Sequence, residues 1–117
     1  MSLTGRLIRV VEDEVLIADL VSDHLKDAGA EVVVAYTLND ALDSASANLS
    51  AAVIDHKLHD HTTDEVCLKL IARNIPFIVY TGFPDLNAPF NHGVIIQKPI
   101  TPPTVVSTLE EMLGNTR

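Results

Sequence analysis

The sequence predicts an α/β domain, a doubly wound five-stranded parallel sheet with helices on both faces, and three observations carry that expectation. Apolar runs of strand length alternate with amphipathic stretches of helical spacing. The runs are apolar almost throughout, as strands covered on both faces must be. Most of the intervening stretches are long enough for a crossover helix, and strands joined by crossovers pair in parallel.

The five runs are Leu7 to Val11, Glu31 to Ala35, Ala51 to Ile54, Phe77 to Tyr80 and Val94 to Ile96, rich in Val and Ile. The first helix is expected from about Glu14 to Ala28, because Ile17, Leu20, Val21, Leu25 and Ala28 follow helical spacing and Gly29 can end it in the left-handed conformation. His24 falls on that stripe and reads as a half-buried, hydrogen-bonded histidine. A second helix begins near Thr37, with Asp40 as the acidic partner of the cap, and a third near Thr62, with Glu65 completing a capping box. Cys67 sits in the third helix among Val66, Leu68 and Leu70, where a core role is expected. Between Tyr80 and Val94 the helical pattern is broken by Gly82, Pro84 and Pro89, so the fourth helix is expected to be short or irregular, around Asp85 to Phe90. Thr101 and Pro102 mark the start of the last helix, and Val105, Val106, Leu109, Met112 and Leu113 form its buried stripe before Gly114.

A chain of 117 residues, 47% hydrophobic, suits a single domain over residues 1–117, with residues 1–5 expected as a flexible tail. The net charge of −8, with only 8 Lys and Arg, argues against a nucleic-acid backbone or an anionic membrane as partner and favours a protein or a small cation. Oligomeric state is left open. One cysteine permits no internal disulfide, and neither a membrane span nor a signal peptide is visible, so a cytoplasmic location is expected.

Ligands of open parallel sheets bind beyond the carboxyl ends of the strands. Glu12, Asp13 and Glu14 follow the first strand, Asp55 ends the third, Thr81 follows the fourth and Lys98 the fifth, all on that edge. Carboxylates gathered there repel one another unless a cation offsets them, and Mg²⁺ suits such oxygen ligands. An aspartate beside Mg²⁺, a hydroxyl and an ammonium can attack a phosphoryl group. A helix N-terminus favouring acids would explain residues 12 to 14 but not Asp55, Thr81 and Lys98 on the same edge. His56, His59 and His61, with Asp55, Asp60 and Asp64 nearby, read as solvated loop residues rather than transition-metal ligands.

With "VVEDE" at 10 to 14, "VIDHKL" at 53 to 58, "VYTG" at 79 to 82 and "QKP" at 97 to 99, the chain resembles the receiver domains of bacterial two-component response regulators, from Arg6 to Gly114. The resemblance implies a flavodoxin-like sheet of strand order 2-1-3-4-5. It implies that Glu12 and Asp13 hold Mg²⁺ together with Asp55 and the Lys57 carbonyl. It further implies that Asp55 accepts a phosphoryl group from a histidine kinase or phosphotransfer protein, that Thr81 and Lys98 contact that group, and that Lys98–Pro99 is a cis bond. A protein of this kind is no enzyme beyond its own phosphorylation and dephosphorylation. It alters its binding to a downstream target or passes the group along a relay.

Three features depart from the family. Leu58 is followed by His59 and Asp60 where a Met-Pro-Gly turn is usual. Thr81 and Lys98 lie closer in sequence than the family normally has them. Ile95 stands where an aromatic switch residue is common, and Lys57 and Phe83 occupy positions that tune autodephosphorylation in the family. With only four residues after Leu113, a stand-alone domain is expected. Two rivals are a receiver-like module that binds partners without phosphorylation and an aspartate-based, Mg²⁺-dependent phosphohydrolase, although the latter's usual D-x-D motif would have Lys57 at its second acid.

Overall fold

A computed structural model describes residues 2–43, 48–59, 61–83 and 85–114. In chain order the strands are β1 (Leu7–Val11), β2 (Glu31–Ala35), β3 (Ala51–Asp55), β4 (Lys57–Leu58), β5 (His61–Thr62), β6 (Phe77–Thr81) and β7 (Val94–Gln97). The helices are α1 (Val15–Asp27), α2 (Leu38–Asp43), α3 (Asp64–Ala72) and α4 (Pro102–Met112). Five strands form one parallel sheet in the order β2-β1-β3-β6-β7, which is the expected 2-1-3-4-5 arrangement of the long strands.

Alternation along the strands divides the core into two layers. Ile8, Val10, Val53, Ile78 and Tyr80 face one way and pack with Ala18, Val21 and Leu25 of α1 and Val105 and Leu109 of α4. Val11, Ile54, Phe77 and Val79 face the other way and pack with Ala41 of α2 and Val66, Cys67 and Leu70 of α3. Every residue of β3 and β6 is buried, so the central strands are fixed from both sides and deliver their last residues, Asp55 and Thr81, to one edge.

Several expectations need correction. The anticipated tail is anchored: Leu3 is fully buried, and its N–H donates to the Ala28 carbonyl at 2.8 Å. A lone leucine gave no periodic signal, yet it closes the gap between α1 and the sheet. On α1 the buried face is centred on Ala18, Val21, Ser22 and Leu25, whereas Leu20 is half exposed and Leu16 almost wholly so. Thr62 does not cap α3. It belongs to β5, and the residue before the helix is Thr63, whose hydroxyl is spent on strand-end carbonyls.

The segment after β6 behaves as its prolines and glycine foretold. Its only regular turn among the described residues is a 3₁₀ helix at Phe90–His92. Thr37 accepts the Asp40 N–H at 3.1 Å as a cap should, and Gly29 ends α1 with φ +101°. Asp60, between β4 and β5, lies outside the described residues.

Candidate functional site

The carboxyl edge of the sheet gathers the acids. One oxygen from each of Glu12, Asp13 and Asp55 lies within 4.8 Å of the others. Lys98 Nζ lies 3.2 Å from Asp55 Oδ1 and 3.3 Å from Oδ2, carried there by the loop that follows β7. The Lys98 N–H donates to the Thr81 carbonyl at 2.7 Å, which extends the β6–β7 pairing to the lysine itself, and Lys98–Pro99 is cis. Glu12, Asp55 and Thr81 are each at most 5% exposed.

Asp55 is held from its own side of the sheet as well. Its Oδ1 accepts the Lys57 N–H at 3.2 Å. Its carbonyl accepts the Thr63 hydroxyl at 2.8 Å, and the same hydroxyl lies 3.0 Å from the His56 carbonyl. The short β4–β5 hairpin stands at the stretch where the chain lacks the Met-Pro-Gly turn. At its tip His59 adopts φ +53°, and its N–H donates to Asp13 Oδ2 at 2.8 Å while its ring Nδ1 lies 3.2 Å from the same oxygen.

Charges at this edge are unequal. Burial, reinforced by the Asp55 carboxylate, pushes Glu12 up to about 7, although hydrogen bonds from Tyr80 and the Glu14 N–H work the other way. Burial also works against Asp13, yet hydrogen bonds from the Glu12 carboxyl and the His59 N–H, with the His59 ring nearby, hold it below the ordinary range. Crowded acids, one of them held near neutrality by its burial, are what a divalent cation relieves. The donor set of hard carboxylate oxygens with one lysine fits Mg²⁺, with Glu12, Asp13 and Asp55 positioned to hold it.

Thr81 Oγ1 accepts the Phe83 N–H at 2.9 Å and lies 3.1 Å from His56 Nδ1. The His56 ring meets Phe90 edge-on, with centroids 4.7 Å apart, and burial lowers the histidine below its usual range, so it is neutral near pH 7. Two residues at the site, Thr63 and Tyr80, escaped the sequence reading, and His56, expected as a solvated loop residue, is instead half-buried between Thr81 and Phe90. The phenol of Tyr80 donates to Glu12 Oε1 at 2.5 Å. Its signal was a polar atom in the apolar run Phe77 to Tyr80, which demands a buried partner. Beside the acids, Tyr80, Lys98, Pro99, Ile100, Glu14, Ile17 and Leu20 line a groove of about 550 Å³.

Fold and pocket define a doubly wound α/β domain built around a buried strand-end aspartate, with carboxylates for a cation on one side and a lysine on the other. Neither a protein-family model nor a curated protein matches the chain by sequence. Solved structures do. The CheY-like response regulator receiver domain protein from Methanospirillum hungatei JF-1 is 28% identical with a TM-score of 0.81, covering 92% of this chain and 93% of that one. SdrG from Sphingomonas melonis Fr1 is 30% identical, TM-score 0.76, over 97% and 98% of the two chains. The response regulator PhyR from Brucella abortus is 25% identical, TM-score 0.80, over 96% of this chain and 49% of its own. The chain belongs to the CheY-like receiver domains of response regulators.

Proposed function

We propose that this receiver domain is a working phosphoacceptor, with Asp55 as the residue that carries the phosphoryl group. The observation that supports it best is the position of Asp55: buried to 5% exposure at the end of β3, within reach of Lys98, and sharing a 4.8 Å cluster with Glu12 and Asp13. One carboxylate oxygen attacks phosphorus, the P–N bond of a phosphohistidine on a histidine kinase or phosphotransfer protein breaks, and the bonding pair leaves on the imidazole nitrogen. Mg²⁺, held by Glu12, Asp13 and Asp55 with the Lys57 carbonyl as a further ligand, supplies positive charge against the phosphoryl oxygens. The Lys98 ammonium binds another of those oxygens once it leaves its pairing with the carboxylate, and the Thr81 hydroxyl donates to a third. The outcome is an altered surface for a downstream protein, with no turnover of a separate substrate.

The test is incubation with acetyl phosphate and Mg²⁺ followed by intact mass spectrometry. A phosphoryl adduct that disappears in Asp55→Asn is expected. Steady release of phosphate without an adduct would favour a phosphohydrolase, and no reaction would favour a module that binds partners unphosphorylated.

A further inference from the structure

We propose that Tyr80 is a positioning residue for the cation site, acting through Glu12. The proposal rests on the reading of Glu12 as a cation-holding carboxylate.

Geometry carries it. Tyr80, on β6, and Glu12, just past the end of β1, lie 68 positions apart in sequence, with β3 between the two strands, and both are at most 1% exposed. The phenol donates to Glu12 Oε1 while the Glu14 N–H donates to Oε2 at 2.9 Å. Each oxygen of the carboxylate therefore has one fixed donor, and together the two donors set the plane of the group. The further hydrogen-bonding neighbour of Glu12 is the Asp13 carboxylate, which is an acceptor, so removing the phenol leaves Oε1 buried without its donor. A buried carboxylate in that state either swings to find a donor or takes up a proton, and both outcomes spoil it as a ligand.

Tyr80 is well placed to act as this anchor. Its ring packs in the core layer formed by α1 and α4, which locks the side chain. Burial and the neighbouring Glu12 charge raise the phenol far above its ordinary range, so it stays a donor at every physiological pH. In register the strand pairs Tyr80 with Asp55, and the Lys98 ammonium stands 5.8 Å from the ring centroid. The tyrosine thus lies beneath all three charged partners of the site, yet it touches only Glu12 through a hydrogen bond. Carboxylates that hold metal ions depend on such partners, whose loss typically weakens metal binding about 10- to 100-fold.

The experiment is a double-mutant cycle on the full chain, Tyr80→Phe, Glu12→Gln and the pair, read by calorimetric Mg²⁺ titration and by the Mg²⁺ dependence of acetyl phosphate labelling. Tyr80→Phe keeps the ring and removes the donor. Its expected effect is a rise of about tenfold in the Mg²⁺ dissociation constant and in half-saturating Mg²⁺, with the labelling rate at saturating Mg²⁺ unchanged. In the Glu12→Gln background the same substitution is expected to change neither. An unchanged dissociation constant in Tyr80→Phe overturns the proposal, as does an equal loss with and without Glu12, which would mark a merely structural tyrosine. If wild-type protein binds Mg²⁺ but takes no label, the phosphoacceptor reading fails while the calorimetric cycle still decides the role of Tyr80. Wild-type protein that binds no Mg²⁺ overturns both.

Discussion

Lys98 Nζ stands 3.2 Å and 3.3 Å from the two oxygens of Asp55, so the ammonium straddles the carboxylate it is meant to help. In the unphosphorylated protein it works as a stand-in for a cation, offsetting the mutual repulsion of Asp55, Glu12 and Asp13. Under the proposed phosphoryl transfer the same group would face a phosphoryl oxygen. Lys98→Met should therefore separate the two roles. Labelling by acetyl phosphate at saturating Mg²⁺ is expected to slow by about a hundredfold, the usual effect of removing one preorganised partner of a developing negative charge. Mg²⁺ binding is expected to hold or tighten, because a competing cation has left. Stopped-time mass spectrometry and calorimetry read the two quantities, and a loss of Mg²⁺ binding would contradict the assignment.

Glu12 links the site to pH. Its folded-state value, raised by burial to about 7, lies above the ordinary 4.5. Its contribution to the stability of the metal-free fold is thus full below 4.5 and is lost as pH rises through about 7. His56, lowered from 6.5, works in the opposite sense: its contribution is present above 6.5 and is lost as pH falls. Stability alone blends the two. Mg²⁺ affinity isolates Glu12, since a cation needs the carboxylate, and Asp13 is already ionised in this window. The affinity is expected to be level above about pH 7.5 and to fall by up to about tenfold per unit below pH 7, with uptake of one proton per ion released. Calorimetry at pH 6 and pH 8, in buffers of different ionisation heat, measures both.

Thr63 holds the end of β3 in place. Its side chain is fully buried, and its hydroxyl lies 2.8 Å from the Asp55 carbonyl and 3.0 Å from that of His56. The His56 carbonyl also accepts the Thr63 N–H at 3.1 Å, so it keeps a donor when the hydroxyl goes, whereas the Asp55 carbonyl loses one. Thr63→Val preserves shape and removes that donor. A loss of about 1–3 kcal/mol is expected in urea unfolding, with slower labelling of Asp55 because its backbone is less fixed.

What was legible in the sequence follows from where periodic signals exist. All five long runs, their parallel order and the broken segment around Pro89 were readable because each element repeats a pattern over several residues. The carboxyl-edge rule then placed Glu12, Asp13, Asp55 and Lys98 together, as the structure does. The β4–β5 hairpin was invisible, since two-residue strands are shorter than any period that could reveal them. Thr62 and Thr63 offered the same cap chemistry, and only the tertiary position of the Asp55 carbonyl decides that Thr63 lies beneath it. Tyr80 read as one more strand residue because its partner, Glu12, follows the end of β1, with β3 between that strand and β6. Contacts between side chains of distant strands leave no trace in local spacing.

Gly93, at the entrance to β7, gives a sharp test of packing at the edge of the sheet. Its backbone is extended (φ −97°, ψ −175°), a conformation any residue adopts, so the glycine is not there for backbone freedom. Space is the reason. A Cβ on residue 93 would stand 2.5 Å from two ring carbons of Phe77 and 2.6 Å from the Phe77 carbonyl oxygen. The ring is buried in the core layer that also holds Ile54, Leu70 and Phe90, and the carbonyl belongs to β6, so neither can yield without disturbing the sheet. Gly93→Ala is expected to destabilise by about 1–3 kcal/mol, the range for overpacking a well-filled site. For a domain of this length that lowers the melting temperature by roughly 4–12 °C. Gly82 is the control, because a Cβ there meets nothing within 4 Å, and Gly82→Ala should leave the melt within a degree or two. Scanning calorimetry of the two variants against wild type decides the matter. Equal melting of Gly93→Ala and wild type would mean that Phe77 has room to move and that the packing beneath β7 is looser than described.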